Sequence, residues 1–224
     1  MSKQIFITGT DTGVGKTVIT GCLAALLLRK GKKVAVYKPV QCGNLLKGRI
    51  KSPDLARIKK LSGIPNNCLF NDYSLKFASS PHLAAELENK KINPDAIKKH
   101  CKELSKKFDY VLIEGAGGLI VPLTRNYSVL DLIKGLRAPV LVVARAGLGT
   151  INHTSLTLKA LKQNRIPVIG IIMNYFKGGL IEEDNKKILF QLNGVPIMGA
   201  VPFSGDIKSL SDNFEKYIDL KNLF

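Results

Sequence analysis

With 224 residues, 45% of them hydrophobic, the chain is long enough for one sizeable domain around a single core, and no shift of composition marks a second. Its 34 Lys and Arg against 17 Asp and Glu give a formal net charge of +17; the lysines are dispersed rather than gathered in a tract and no aromatic-rich platform accompanies them, which argues against a nucleic-acid binder and for a basic surface around an anion pocket. No apolar run could cross a bilayer, Met1-Ser2-Lys3-Gln4 leads directly into strand-like residues, and Cys22, Cys42, Cys68 and Cys101 form no C-x-x-C pair, so a cytoplasmic protein in a reducing compartment, away from membranes, is expected.

Along the chain, strand-length apolar runs are expected at 4–8, 33–37, 109–113, 139–144, 167–173 and 196–201. They are rich in β-branched residues and nearly continuous in hydrophobicity, as strands buried on both faces must be. Between them, amphipathic patterns predict helices at 16–30, 53–62, 81–89, 93–107, 128–136, 151–164, 181–193 and 207–218. The stretch 42–52 (CGNLLKGRIKS) has no periodicity and reads as a mobile loop. Alternation of this kind implies an α/β fold, a parallel sheet with helices on both faces, in one domain over residues 1–224. Ligands of such sheets sit beyond the carboxyl ends of the strands, so the informative residues are those that follow each strand: Gly9 to Thr17, Lys38 and Pro39, Glu114 to Gly118, Arg145 to Asn152, Asn174 and Pro202.

The first of these almost spells a phosphate loop. The usual pattern is G-x-x-x-x-G-K-[ST], with four residues between the glycines. Here five, Thr10 to Val14, separate Gly9 from Gly15. The context still fits: a strand, glycines, Gly15-Lys16-Thr17 and a helix. Backbone N–H groups at the helix start would face phosphates, Lys16 would add a point charge, and the Thr17 hydroxyl could reach Mg²⁺. Partitioning and nitrogenase-iron-protein type ATPases have a related altered loop, but Asp11 stands in this chain where they carry their characteristic lysine, which argues against their mechanism. A cobyrinate-type amidating synthetase is a further rival, but it needs a glutaminase domain for which 224 residues leave no room.

Other strand ends supply the partners. Glu114 closes an apolar strand before the glycine-rich Gly115-Ala116-Gly117-Gly118, a position suited to holding Mg²⁺. Asp54, in Ser52-Pro53-Asp54, is either a helix-start acid or a second Mg²⁺ carboxylate. Lys38, held extended by Pro39, brings a second cation to the same edge, as a substrate or intermediate with extra negative charge requires. Asn174 ends an apolar strand and could read a base through its amide; guanine-type N-K-x-D is absent, which leaves adenine as the default. His82, His100 and His153 share no ligand spacing and read as ordinary helix residues. Thr150 reads as an N-cap whose helix start is either a plain cap or an anion site.

Taken together, Gly9–Thr17 (GTDTGVGKT), Tyr37–Val40 (YKPV), Glu114–Gly118 (EGAGG) and Leu148–His153 (LGTINH) resemble dethiobiotin synthetase. With Ser80-Pro81-His82 and Asn174, the resemblance spans about residues 5 to 202. It implies a phosphate-loop NTPase fold and a ligase that uses ATP and Mg²⁺ to carboxylate 7,8-diaminononanoate with CO₂ and close a cyclic urea. It implies nucleotide contacts from Thr12, Gly13, Val14, Gly15, Lys16, Thr17, Glu114, Gly117, Asn174 and Pro202. Mg²⁺ would be held by Thr17, Asp54 and Glu114, with Lys16 and Lys38 as catalytic cations. Substrate contacts would come from Thr12, Lys38, Cys42, Gly117 and Gly118, and from Gly149, Thr150, Ile151 and Asn152 of a neighbouring subunit in a homodimer. Two positions depart from the pattern. Some relatives have a glutamate where Gly13 stands, and Cys42 replaces a hydroxyl residue near the substrate.

Overall fold

The computed structural model describes residues 3–44 and 52–219. The first half runs β1 (Lys3–Gly9), α1 (Lys16–Arg29), β2 (Val34–Tyr37), β3 (Val40–Gln41), α2 (Pro53–Ser62), β4 (Leu69–Phe70), β5 (Tyr73–Ser74), α3 (Pro81–Leu87), α4 (Pro94–Leu104) and β6 (Tyr110–Glu114). The second runs β7 (Pro122–Thr124), β8 (Tyr127–Ser128), α5 (Val129–Leu136), β9 (Val140–Arg145), α6 (Thr150–Gln163), β10 (Val168–Phe176), α7 (Leu180–Asn193), β11 (Ile197–Pro202) and α8 (Ile207–Asp212).

Seven strands form one sheet in the order β11-β10-β9-β1-β6-β2-β4, parallel throughout. The alternation of side chains along each strand explains why these runs had to be apolar on both faces. Phe6, Val111, Ile113, Val140 and Val142 enter the core under α4, α5 and α6, together with Ile97, Leu132 and Leu158. Their neighbours Ile5, Ile7, Leu112, Leu141 and Val143 enter the opposite core, under α1, α2 and α8, with Ile19, Ile58 and Leu210. A polar residue in the middle of β1 or β9 would therefore face a packed layer on either side.

The six expected strands and eight expected helices are present, with three helices shorter by two residues or more than the pattern predicts. The helix expected at 81–89 closes at Leu87, and that at 93–107 is Pro94–Leu104, capped by the Asn93 side chain on the Asp95 and Ala96 N–H groups. The helix expected at 207–218 ends at Asp212, because the chain then takes a short 3₁₀ turn at Phe214–Tyr217 and runs back along β11, where Ile218 bridges Gly199. That return covers part of an exposed sheet edge. The strands β3, β4, β5, β7 and β8 are two or three residues each, too short to show a period of two.

The expected loop at 42–52 lies mostly outside the described residues. Its beginning is tied down: Gly43 and Asn44 donate backbone N–H groups to Phe77 and Leu75. One feature of the ladder bears on the site. β2 pairs with β4 (Val36 with Leu69, Tyr37 with Phe70) and β3 with β5 (Val40 with Tyr73, Gln41 with Ser74) at one constant offset. The two are a single parallel ladder interrupted where Lys38-Pro39 faces Asn71-Asp72.

Candidate active site

The loop after β1 turns into α1 through Gly15, which has φ +96°. No side chain caps this helix, and the Val18 and Ile19 N–H groups return to the Gly15 carbonyl. The open donors of the first turn therefore face the loop, as phosphate binding needs. The Asp11 carboxylate accepts the Thr12 N–H at 2.6 Å, so this acid shapes the loop entrance. Lys16 folds over the same turn and donates Nζ to the Asp11 carbonyl at 3.0 Å. Burial, followed by the nearby Lys38 charge, lowers the Lys16 pKa to about 8.

β10 supports the loop from behind. Asn174 donates Nδ2 to the Val14 carbonyl at 3.0 Å, and the Tyr175 hydroxyl reaches the Gly13 carbonyl at 3.4 Å. A Cβ on Gly15 would stand 1.9 Å from Asn174 Nδ2, so glycine is required there by close approach as well as by its φ. The amide nitrogen of Asn174, read from the sequence as a base contact, is thus engaged in holding the loop.

The register of the central strands brings the charged groups together. Tyr37 pairs with Ile113 between β2 and β6, which places Lys38 beside Glu114 at the strand ends. Glu114 is 1% exposed and Lys38 4%. Lys38 Nζ donates to Glu114 Oε1 at 2.8 Å and to the Gly115 carbonyl at 3.1 Å, and pairs with Asp54 Oδ2 at 2.7 Å. The Thr17 hydroxyl donates to the same Glu114 Oε1 at 2.9 Å. Burial by itself would lower the Lys38 pKa, but the Glu114 and Asp54 charges outweigh it and raise the value above that of an ordinary lysine.

Asp54 is the helix-start acid that the sequence allowed. It lies in the first turn of α2, whose N-cap is Ser52, and it joins the charged cluster. Gln41 fixes this helix end: its Oε1 accepts from Ser52 Oγ at 2.7 Å and from the Asp54 N–H at 3.4 Å.

Glu114 Oε2 is buried and accepts no hydrogen bond. An orphaned anionic oxygen beside a hydroxyl and a second carboxylate is a hard-donor set that fits Mg²⁺, which takes one or two protein carboxylates and completes its shell with phosphates and water. No group of three or more His, Cys, Asp or Glu side chains gathers among the described residues, so a softer, all-protein metal cage is not formed there. His100 instead pairs with Asp72 at 2.7 Å, and His82 contacts Ser80 at 3.1 Å.

Two cavities flank the cluster. One of about 520 Å³ contains Thr12, Lys38, Cys42, Asp54 and Gly117 in its wall. Another of about 620 Å³, lined by Thr12, Gly118, Ile120, Val121, His153 and Leu156, runs between the phosphate loop and α6. Both include Thr12 and Val121. Burial lifts the Cys42 thiol to about 11, so it offers a weak neutral donor to the first cavity.

The turn before α6 corrects one expectation. Gly149, with φ +84°, is the N-cap, and Thr150 is the first helical residue. The Thr150 hydroxyl packs inward against that of Thr154 at 3.2 Å and caps nothing. Left-handed glycine makes the turn instead; the Thr150 N–H turns back to the Gly147 carbonyl at 3.3 Å, and the N–H groups of Ile151 and Asn152 are left without a side-chain cap.

The AAA domain family matches residues 3–210. The ATP-dependent dethiobiotin synthetase BioD of Halalkalibacterium halodurans is 41% identical over 93% of this chain and 88% of its own. That of Clostridium acetobutylicum is 39% identical over 92% and 88%. The chain belongs to the dethiobiotin synthetase family. It is accordingly an ATP-dependent ligase of biotin biosynthesis. Among solved structures, Cyanthece apo McdA superposes with TM-score 0.60 at 17% identity, covering 95% of this chain and 90% of that one. The Pyrococcus furiosus cell division ATPase MinD gives TM-score 0.58 at 20% identity, covering 96% and 99%. At those identities the likeness shows the fold, that of phosphate-loop NTPases.

Within this dethiobiotin synthetase family member the structure brings Lys16, Thr17, Lys38, Asp54 and Glu114 into one cluster, with Thr12 and Gly117 beside it. Gly118 lines the groove toward α6, and Pro202 closes β11 one strand beyond Asn174. Gly149 to Asn152 stand at the start of α6 rather than in the cluster. Reading the sequence missed Gln41, the Gly115 carbonyl and Tyr175. Gln41 lies buried in a two-residue strand too short to read from the sequence, and the other two carried no signal either.

Proposed function

We propose that the whole chain, residues 1–224, is one ligase domain that converts 7,8-diaminononanoate, CO₂ and ATP into dethiobiotin, ADP and phosphate in the cytoplasm. The observation that carries this reading is the Lys38–Glu114–Asp54–Thr17 cluster at the mouth of the phosphate loop. CO₂ adds to one substrate amine and a proton is lost, giving a carbamate. The carbamate oxygen attacks the γ-phosphorus of ATP, and ADP departs, leaving a carbamic-phosphoric anhydride. The second amine attacks the anhydride carbon, loses its proton and expels phosphate as the urea ring closes.

In this sequence of steps the chain supplies positioning and charge. The first-turn N–H groups of α1 and Lys16 hold the β- and γ-phosphates, with Thr12, Gly13 and Val14 lining the loop. Lys38 faces the carbamate and the phosphoryl group in transfer. Thr17, Asp54 and Glu114 would hold Mg²⁺, which when bound neutralises charge on the phosphate oxygens. Asn174 and Pro202 flank the adenine side. No helix among the described residues is long and apolar enough to cross a membrane. The test is phosphate release with ATP, Mg²⁺ and bicarbonate, with and without the diamine. Strict dependence on the diamine is expected, and release that ignores it would sink the reading.

The substrate is long and ends in a carboxylate, which needs an anion site away from the cluster. The uncapped start of α6 offers one. Leu148 and Ile120 beside it are 88% and 72% exposed, an apolar surround that suits a second copy of the chain. The proposal is a homodimer in which each α6 start serves the partner's substrate. Thr150→Pro should then raise the KM for the diamine at least tenfold while leaving that for ATP within about twofold. Proline is tolerated at the first helical position, so the helix persists while the turn that presents the Ile151 and Asn152 N–H groups loses its Thr150 N–H bond to the Gly147 carbonyl. Steady-state kinetics and light scattering check both parts; a fully active monomer would defeat the shared site.

A further inference from the structure

We infer that Asn71 is the positioning residue that sets Lys38 in place, an inference that rests on the catalytic reading of Lys38 given above. The parallel ladder that pairs β2 with β4 and β3 with β5 is interrupted at Lys38-Pro39. Lys38 is followed by Pro39, which has no N–H to give, and at this point the paired chain leaves strand geometry. The Lys38 backbone nevertheless stays bound on both sides. Its N–H donates to the Phe70 carbonyl at 2.9 Å. Its carbonyl accepts Asn71 Nδ2 at 2.7 Å, and the same Nδ2 reaches the Tyr73 carbonyl at 3.2 Å. A side-chain amide thus stands in for the missing ladder donor and ties β4 to β5 across the gap.

The tie matters because of what Lys38 must do with its other end. Its ammonium is shared among Glu114, Asp54 and the Gly115 carbonyl at 2.7 to 3.1 Å. A shift of the Lys38 backbone moves the ammonium relative to three partners at once. Nothing else described here restrains the Lys38 carbonyl. The next residue, Asp72, reinforces the arrangement from outside by accepting the Tyr37 hydroxyl and pairing with His100. Asn71 touches neither cavity wall nor phosphate loop, so its effect on turnover must pass through Lys38.

Asn71→Ala removes the donor. Asn71→Asp keeps the volume and presents only acceptors at neutral pH. Both are expected to lower kcat by roughly tenfold to a hundredfold, the scale of a small misplacement of a catalytic group. The Kd for ATP should stay within about twofold, because the phosphate loop is untouched. In a double-mutant cycle, adding Asn71→Ala to Lys38→Ala should cost nothing further, since the group it positions is gone. An additive loss in the cycle would overturn the inference, as would wild-type kcat in the Asn71 variants while Lys38→Ala is inactive. Failure of both variants to fold would overturn it too, making Asn71 a residue of the fold. If Lys38→Ala itself retains full turnover, the catalytic reading fails, and this inference with it.

Discussion

Lys16→Ala is expected to lose product formation by about a thousandfold or more, some ~4 kcal/mol of barrier. Among the described residues no other ammonium reaches into the loop: Lys38 is held by Glu114 and Asp54. The nucleotide-free protein also predicts a proton signature. Burial, then the Lys38 charge, brings Lys16 down to about 8, so below that pH it is charged and above it mostly neutral. Phosphates arriving at Nζ favour the charged form and must raise its pKa. ATP binding near and above pH 8 should therefore take up protons, and affinity should fall as pH climbs further, while Lys16→Ala shows no such uptake. Titration calorimetry in buffers of different ionisation enthalpy measures this directly, and mass spectrometry measures product. Activity within about tenfold of wild type would refute the loop assignment.

Lys38→Ala should depress kcat by about a hundredfold or more while changing nucleotide affinity by only a few fold. In the proposed mechanism its ammonium faces the charge that accumulates during transfer, while Lys16 and the loop face the β- and γ-phosphates. The substitution also leaves Glu114, 1% exposed, without its buried cation. Loss of one member of such a pair costs about 3–5 kcal/mol of stability, so turnover must be read well below the lowered Tm. A fluorescent-nucleotide titration beside saturating kinetics separates the two effects. A large loss of ATP binding with intact turnover would make Lys38 a ground-state contact only.

How much of this was legible beforehand follows from the length scale of each signal. The central strands were, because burial on both faces forces long apolar runs such as Tyr110–Glu114. The phosphate loop was, because strand, glycine, Lys16 and helix are contiguous. Lys38, Asp54 and Glu114 could be named from their positions at strand ends and a helix start, but their mutual contacts depend on the β2–β6 register, which no local pattern encodes. The Thr150 cap was misread because serine and threonine are the usual capping residues, whereas a left-handed Gly149 makes the turn. Asn71 stayed hidden since the role inferred for it depends on the Lys38 it faces across an interrupted ladder, a pairing no local pattern encodes.

The contact between Gly15 and Asn174 restricts the order in which a lineage can change these two positions. A side chain at Gly15 collides with the Asn174 amide at 1.9 Å and, at φ +96°, is strained besides, a backbone cost of about 1–2 kcal/mol. Shrinking Asn174 first removes the collision but releases the Val14 carbonyl it holds. Neither single step is expected to be neutral, so the two sites, 159 positions apart in the chain, are coupled: the effect of a change at one depends on the residue at the other.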